Sequence, residues 1–280
     1  MPRFIFLKFI LSLLFIASIS FNAKSQKIEG GILVGGSYYY GDLVNDLQLS
    51  TISVSGGVFI RQHINENFSI KYFGGYCRIN GADSLSPSKF QKHRNLSFWA
   101  DVFEGSVQAE YSLVKDITRG RILRNRFIPY IFAGVGAFYF QNYAYDPSHT
   151  VMKLWQLGTS GVTYNNYALC VPFGGGVRYK VTSTFSIGFE VGARYTSTNW
   201  LDDVGGKTSI YAPKNQLPLA SARIMSDRSI DQGYLYSGQQ RGKISTNDVY
   251  VMGGLTLTYR FGLSGGGGYR GRAIRCPRFY

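Results

Sequence analysis

The run VYVMGGLTLTYRF, Val249 to Phe261, decides the fold. Its odd positions read Val249, Val251, Gly253, Leu255, Leu257, Tyr259 and Phe261, and its even positions read Tyr250, Met252, Gly254, Thr256, Thr258 and Arg260. Side chains of a strand alternate between two faces, so one face is apolar and the other polar. The same period of two starts at Phe185. Phe185, Ile187, Phe189, Val191, Ala193 and Tyr195 share one face, and Ser186, Gly188, Glu190, Gly192, Arg194 and Thr196 share the other. A soluble sandwich also alternates, but its polar face is rich in Lys, Glu and Asp. Here the polar face is Gly, Ser and Thr with isolated ions. The pattern predicts an outer face in hydrocarbon and an inner face lining a narrow lumen.

Composition agrees. Among 280 residues there are 21 Tyr, 20 Phe and 34 Gly, while charged residues make up 16% against about 25% in soluble domains. Aromatic and branched side chains suit a pleated surface, and the low charge argues against disorder, coiled coil and helical bundle. A mean hydropathy of -0.07 argues against many membrane helices and leaves a barrel open, because alternating strands average out.

The N-terminus reads as an address. Arg3 and Lys8 flank an apolar run reaching Phe21, followed by Asn22-Ala23-Lys24-Ser25. This is the pattern of a cleavable signal peptide over residues 1–25, and the run is short for a membrane anchor. No Cys marks a lipoprotein. Cleavage removes three of the 30 basic residues and none of the 16 acids, so the exported chain stays strongly basic.

Strands are expected near 28–40, 52–62, 68–80, 96–113, 127–143, 170–180, 185–200 and 248–261. The first, third, fifth and seventh connections are long, the second and sixth tight, and the fourth moderate. Eight strands with short turns at one end and long loops at the other predict an all-β fold. It is a single antiparallel transmembrane β-barrel over 26–261, of OmpA/OmpX-like size, with long outer loops and a periplasmic tail over 262–280. Closure follows from solvation, since hydrocarbon offers no partner for backbone N–H and C=O groups and only a helix or an edgeless barrel supplies one internally.

Inward parity collects Arg61, Lys71, Glu104, Glu110, Arg178, Lys180, Glu190, Arg194 and Arg260. Desolvated charges need partners, so a cross-barrel ion network is expected, with some of the cations at the wet ends to balance the count. Inward Gly174, Gly176, Gly188 and Gly192 make room for long side chains. A selective pore is the weaker alternative. His63, His93 and His149 have no second ligand at metal spacing, and Asp202-Asp203 reads as a solvated loop pair. Nothing implies catalysis, a cofactor, a metal, nucleic acid or a small-molecule substrate. Cys77 and Cys170 both face inward, where an internal disulfide is one option. Cys276, in the tail, suits a bridge to a periplasmic partner. Lys115, Arg119, Arg121, Arg124 and Arg126 crowd the fourth connection against Asp116, and Arg270, Arg272, Arg275 and Arg278 crowd the tail. Together these basic groups and Cys276 form the candidate partner-binding rim at the periplasmic end.

Several strings carry a resemblance: GGSYYYGDL (35–43), RNLSFWADVFEGSVQAEY (94–111), PYIFAGVGAFYF (129–140), PFGGGVRY (172–179), WLDDVGG (200–206), SDRS (226–229), QRGKISTND (240–248) and Cys276-Pro277. In this order they resemble the PorG-like outer-membrane barrels of the Bacteroidetes type IX secretion system. The resemblance implies a non-enzymatic barrel that docks a periplasmic ring of PorK and PorN type and organises the secretion complex. The tail from Gly265 to Arg272 is richer in Gly and Arg than that family's pattern. The alternative is a stand-alone surface barrel, adhesin or lipid-modifying enzyme, working through its outer loops.

Overall fold

In the computed structural model of the protein the described residues are 27–44, 48–119, 122–123, 125–159, 161–162, 164–205, 211–213, 215, 217, 219–229, 241–242 and 247–261. The expected signal peptide and tail therefore lie outside the described residues, as do Arg121 and Arg124. The strands are β1 (Lys27–Tyr40), β2 (Ser53–His63), β3 (Phe68–Ala82), β4 (Ser97–Ser112), β5 (Thr118–Arg119), β6 (Ile122–Leu123), β7 (Phe127–Tyr145), β8 (Val151–Lys153), β9 (Tyr167–Lys180), β10 (Phe185–Thr196) and β11 (Val249–Arg260).

Eight long strands close a ring in the order β1-β2-β3-β4-β7-β9-β10-β11, and β11 returns to β1. Every pairing is antiparallel, and the closing register runs from Glu29 opposite Arg260 to Tyr40 opposite Val249. Two additions were not expected. β8 pairs with the outer end of β7, and β5 and β6 form a two-residue hairpin within the fourth connection. β7 continues to Tyr145 and β9 starts at Tyr167, both further out than expected, whereas β10 ends at Thr196. There Thr196 Oγ1 accepts the Thr198 amide and donates to the Asp248 carbonyl, turning the chain inward over the barrel.

The tight turns are specified locally. Asn65 Oδ1 accepts the amides of Asn67 at 2.9 Å and Phe68 at 2.7 Å, an Asx turn that reverses the chain in a few residues. Thr182 Oγ1 accepts the Phe185 amide at 2.9 Å in the β9–β10 turn.

The outer wall is apolar. Val54, Val58, Val135, Leu169 and Leu255 are each more than 60% exposed. Aromatic belts bound this band at both ends. At the short-turn end Phe68, Tyr111, Phe127, Tyr179, Tyr259 and Phe261 face outward. At the loop end Trp99 lies 4.7 Å from Tyr145 and 5.7 Å from Tyr143, and Tyr139 lies 4.8 Å from Tyr167. An outward ion pair, Arg78 to Asp101 at 2.7 Å, sits within the second belt. Aromatic girdles mark the height where hydrocarbon gives way to headgroups. Close strand contact needs glycine at Gly35 and Gly254, which face each other across the closing seam. A Cβ on either would strike the other's backbone.

Replacing Val135, at mid-height on the outer wall, by Arg should destabilise the folded barrel by about 2–4 kcal/mol in lipid, and Tyr145→Arg in the belt by about 1 kcal/mol or less. Denaturant unfolding from vesicles measures both, and equal costs would contradict a hydrocarbon-facing wall.

Candidate functional site

The interior holds two layers of paired ions separated by aromatic rings. Lys71 and Glu110 are 0% exposed, and Arg61, Arg178, Lys180, Glu190, Arg194 and Arg260 are nearly as buried. Arg61 grips Glu110 with two donors, at 2.5 and 3.1 Å, and reaches Glu29 at 3.1 Å. Lys71 Nζ lies 2.8 Å from both Glu190 oxygens and 3.3 Å from Glu110. Tyr130 donates to Glu190 at 2.7 Å. Nearer the loop end, Arg194 and Tyr250 each donate to Glu104 Oε2 at 3.0 Å. Phe132 and Phe73 fill the gap between the two layers, with Lys71 Nζ 4.5 Å from the Phe132 ring and Arg194 5.9 Å from that of Phe73. The inward glycines serve these rings. A Cβ on Gly174 or Gly192 would strike Phe132, and one on Gly176 would strike Tyr130.

Inward parity alone gives six cations against three acids and predicts the excess cations at the wet ends. Instead, two further acids enter the lumen. Glu29 accepts Arg260 Nε at 2.7 Å, and Asp116 accepts Arg260 Nη2 at 3.0 Å and Arg178 at 3.2 Å, with Lys180 also bonded to it. Glu29 shares the parity of Leu33, Ser37 and Tyr39 and was findable. Asp116 was not, because it arrives from a turn. Its carboxyl falls to about 2, since the cations Arg260, Arg178 and Lys180 outweigh the cost of burial. Glu29, His63 and Asp116 lie close enough to hold a metal, but the Arg260 guanidinium already bonds both carboxylates there. Cys77 and Cys170 are free thiols on the inner face.

The withdrawal of Asp116 changes the rim. Of the expected partner-binding residues, Lys115 is exposed and 3.8 Å from Glu66, and Arg126 is exposed. Arg119 contributes its backbone to β5. Arg270, Arg272, Arg275 and Cys276 lie outside the described residues. Asn65, Glu66, Asn67, Phe68, Tyr111 and Lys115 line a recess of about 620 Å³ at this end.

At the other end the outer loops fold into a cap whose apolar residues continue the barrel's core. Leu43, Val44, Leu96, Leu154, Leu157, Leu201, Val204, Leu217 and Met225 cluster there with the barrel's Phe98, and Tyr164 stacks on Trp200 at 4.6 Å. Asp202 and Asp203, expected to be solvated, are buried. Asp203 accepts Tyr164 OH at 2.8 Å and pairs with Arg241 at 3.5 Å. Arg94 pairs with Asp83 through two bonds at 2.6 and 2.7 Å. Tyr39, the penultimate residue of β1, reaches both Asp248 at 2.7 Å and Asp202 at 2.8 Å. A phenol has one proton, so a further proton must be held on one of the carboxyls. Burial, with the neighbouring Asp42, raises Asp202 to about 7, and burial beside Asp202 raises Asp248 well above the carboxylate range.

Comparison with known proteins adds a family. Residues 7–219 match the family described as a domain of unknown function, DUF6089. The chain belongs to the DUF6089 family. No curated protein matches it. Among solved structures, this DUF6089 chain is similar to a major outer membrane protein of Thermus thermophilus at 12% identity and a TM-score of 0.42, over 85% of this chain and 100% of that one. It is also similar to Neisserial surface protein A at 8% identity and 0.41, over 85% and 98%. Ail of Yersinia pestis is similar at 11% identity and 0.38, over 85% and 100%.

Two outcomes follow for the DUF6089 barrel. Lys71→Met should destabilise it by about 3–5 kcal/mol, because it strips Glu190 of its cation. Adding Glu190→Gln should restore most of that loss, as measured by unfolding in vesicles. The cap should respond to pH. Asp202 binds its proton more tightly folded than unfolded, so folding holds more protons between the ordinary value of 3.8 and about 7. Cap stability therefore falls as pH rises through that window. Hydrogen exchange of cap amides, corrected for intrinsic rate, should quicken from pH 5 to 8 in the native chain and much less in Asp202→Asn.

Proposed function

We propose that this chain is a non-enzymatic outer-membrane component of a type IX secretion system, of PorG-like kind, that anchors a periplasmic lipoprotein ring through its short-turn rim. One observation carries the reading. The lumen is filled by paired charges, while Asp116 is turned into the barrel and leaves Lys115 and Arg126 outward, with Glu66 as the acid beside Lys115. A filled lumen favours a structural role over a conduit. A basic rim with an adjoining recess favours an acidic protein partner, since surface charge selects partners and speeds encounter. The apolar wall and its aromatic belts support residence in a membrane, and the signal peptide expected over residues 1–25 supports the outer one. In this reading the tail, with Cys276, joins the rim in gripping a ring subunit.

The ordered outer cap favours a second reading, a surface barrel that acts outside the cell. Deletion separates the two. In the secretion reading, loss of the chain blocks export of C-terminally tagged cargo, and trimming residues 201–247 leaves export intact. Lys115→Glu with Arg126→Glu should weaken recovery of ring lipoproteins in crosslinked outer membranes by about tenfold, with barrel insertion unchanged. A Cys276-dependent adduct should appear on non-reducing gels. Normal export in the deletion strain would reject the role.

A further inference from the structure

A groove of about 510 Å³ opens on the loop end, between the cap and the outer ends of β4 and β7. Arg228, Arg223, Asn95, Ser97, Tyr145 and Ser229 are among its lining. Arg228 is the unusual member. Its guanidinium donates to Ser97 O at 2.7 Å and Ser97 Oγ at 3.1 Å, both neutral. Its Nε is sealed from solvent and has no partner. No carboxylate among the described residues forms an ion pair with it. Burial lowers it to about 10. Arg228 is half-buried, and its Nη1 and Nη2 each keep a second N–H beyond the bonds to Ser97, so the guanidinium has donors left for an oxyanion.

Two acids also line the groove, and both are engaged by their own turns. Asp146 Oδ1 accepts the amides of Ser148 and Thr150, each at 2.8 Å. Asp227 Oδ1 accepts the amide and hydroxyl of Ser229, at 3.2 and 2.6 Å. Arg223 is exposed, and among the described residues its Nε donates to the Leu217 carbonyl at 3.3 Å. The height of the groove selects the source of the anion. Tyr145 forms one wall and also packs on Trp99 in the outer aromatic belt, and Ser97 lies two residues along β4 from Trp99. The groove thus opens where headgroups begin.

We infer that this groove binds the phosphate of a phosphorylated glycolipid in the leaflet surrounding the barrel's loop end, with Arg228 as its principal donor and Arg223 as a second. The inference rests on the membrane reading above and not on any secretion role. Its test uses the full exported chain in phosphatidylcholine nanodiscs doped with either a diphosphorylated glucosamine-disaccharide lipid or its dephosphorylated counterpart. Native mass spectrometry then counts retained glycolipid.

The expected result is retention of the phosphorylated lipid, with the dephosphorylated one lost. Retention should drop about tenfold in Arg228→Gln and severalfold in Arg223→Gln, while Arg228→Lys retains part of it. Arg223 is exposed, so its variant carries the test if Arg228→Gln does not fold. Equal retention of the two lipids, or wild-type retention in both variants, overturns the proposal. So does binding of glucosamine phosphate or inorganic phosphate as tight as that of the lipid. Heat-modifiable mobility in the same samples scores insertion separately. A wild-type chain that fails to insert overturns the membrane reading itself, whereas an inserted chain that fails to retain lipid overturns only the groove.

Discussion

A backbone surrounded by hydrocarbon cannot leave a hydrogen-bonding group unpaired, and the structure depends on that constraint. The ring of eight strands meets it by returning β11 to β1, so that no long strand has an open edge. Closure at eight strands leaves a lumen only as wide as side chains. The polar faces of the strands, which must point away from lipid, meet one another at close quarters. The column from Asp116 through Arg260, Glu29, Arg61 and Glu110 to Lys71 and Glu190 follows from that crowding. Each charge is desolvated, and each carboxylate touches at least one cation.

Such a column is poor evidence of great stability, because desolvation offsets much of the attraction. It sets a single arrangement of the interior and leaves the function to the two ends. The ends differ in kind. At the short-turn end the bonds draw an acid inward and leave cations outside. At the loop end they draw acids inward to dock a hydrophobic cap, so that Tyr39 of the barrel holds both Asp202 and Asp248 of the cap.

Much of the barrel was legible in advance because alternation is a property of each strand alone. Val249 to Phe261 and Phe185 to Thr196 announce their two faces without reference to any neighbour, and the inward charges follow by parity. What stayed hidden depends on residues outside the strands. Asp116 reads as a surface acid until the turn carries it under Arg260. Asp202 and Asp203 read as solvated until four outer loops bring Leu43, Leu96, Leu157 and Met225 around them. Arg228 reads as one more loop cation, and only its neutral partner Ser97 distinguishes it. A period of two predicts faces; it says nothing of how loops pack on one another.

The first and last strands are tied at both ends by side chains as well as by backbone: Glu29 to Arg260 below, Tyr39 to Asp248 above. Those ties join residues more than 200 positions apart. A nascent chain therefore carries unneutralised groups on its leading strand until synthesis and translocation deliver the trailing one. Closing the seam and tying down the roof therefore both wait on the trailing strand.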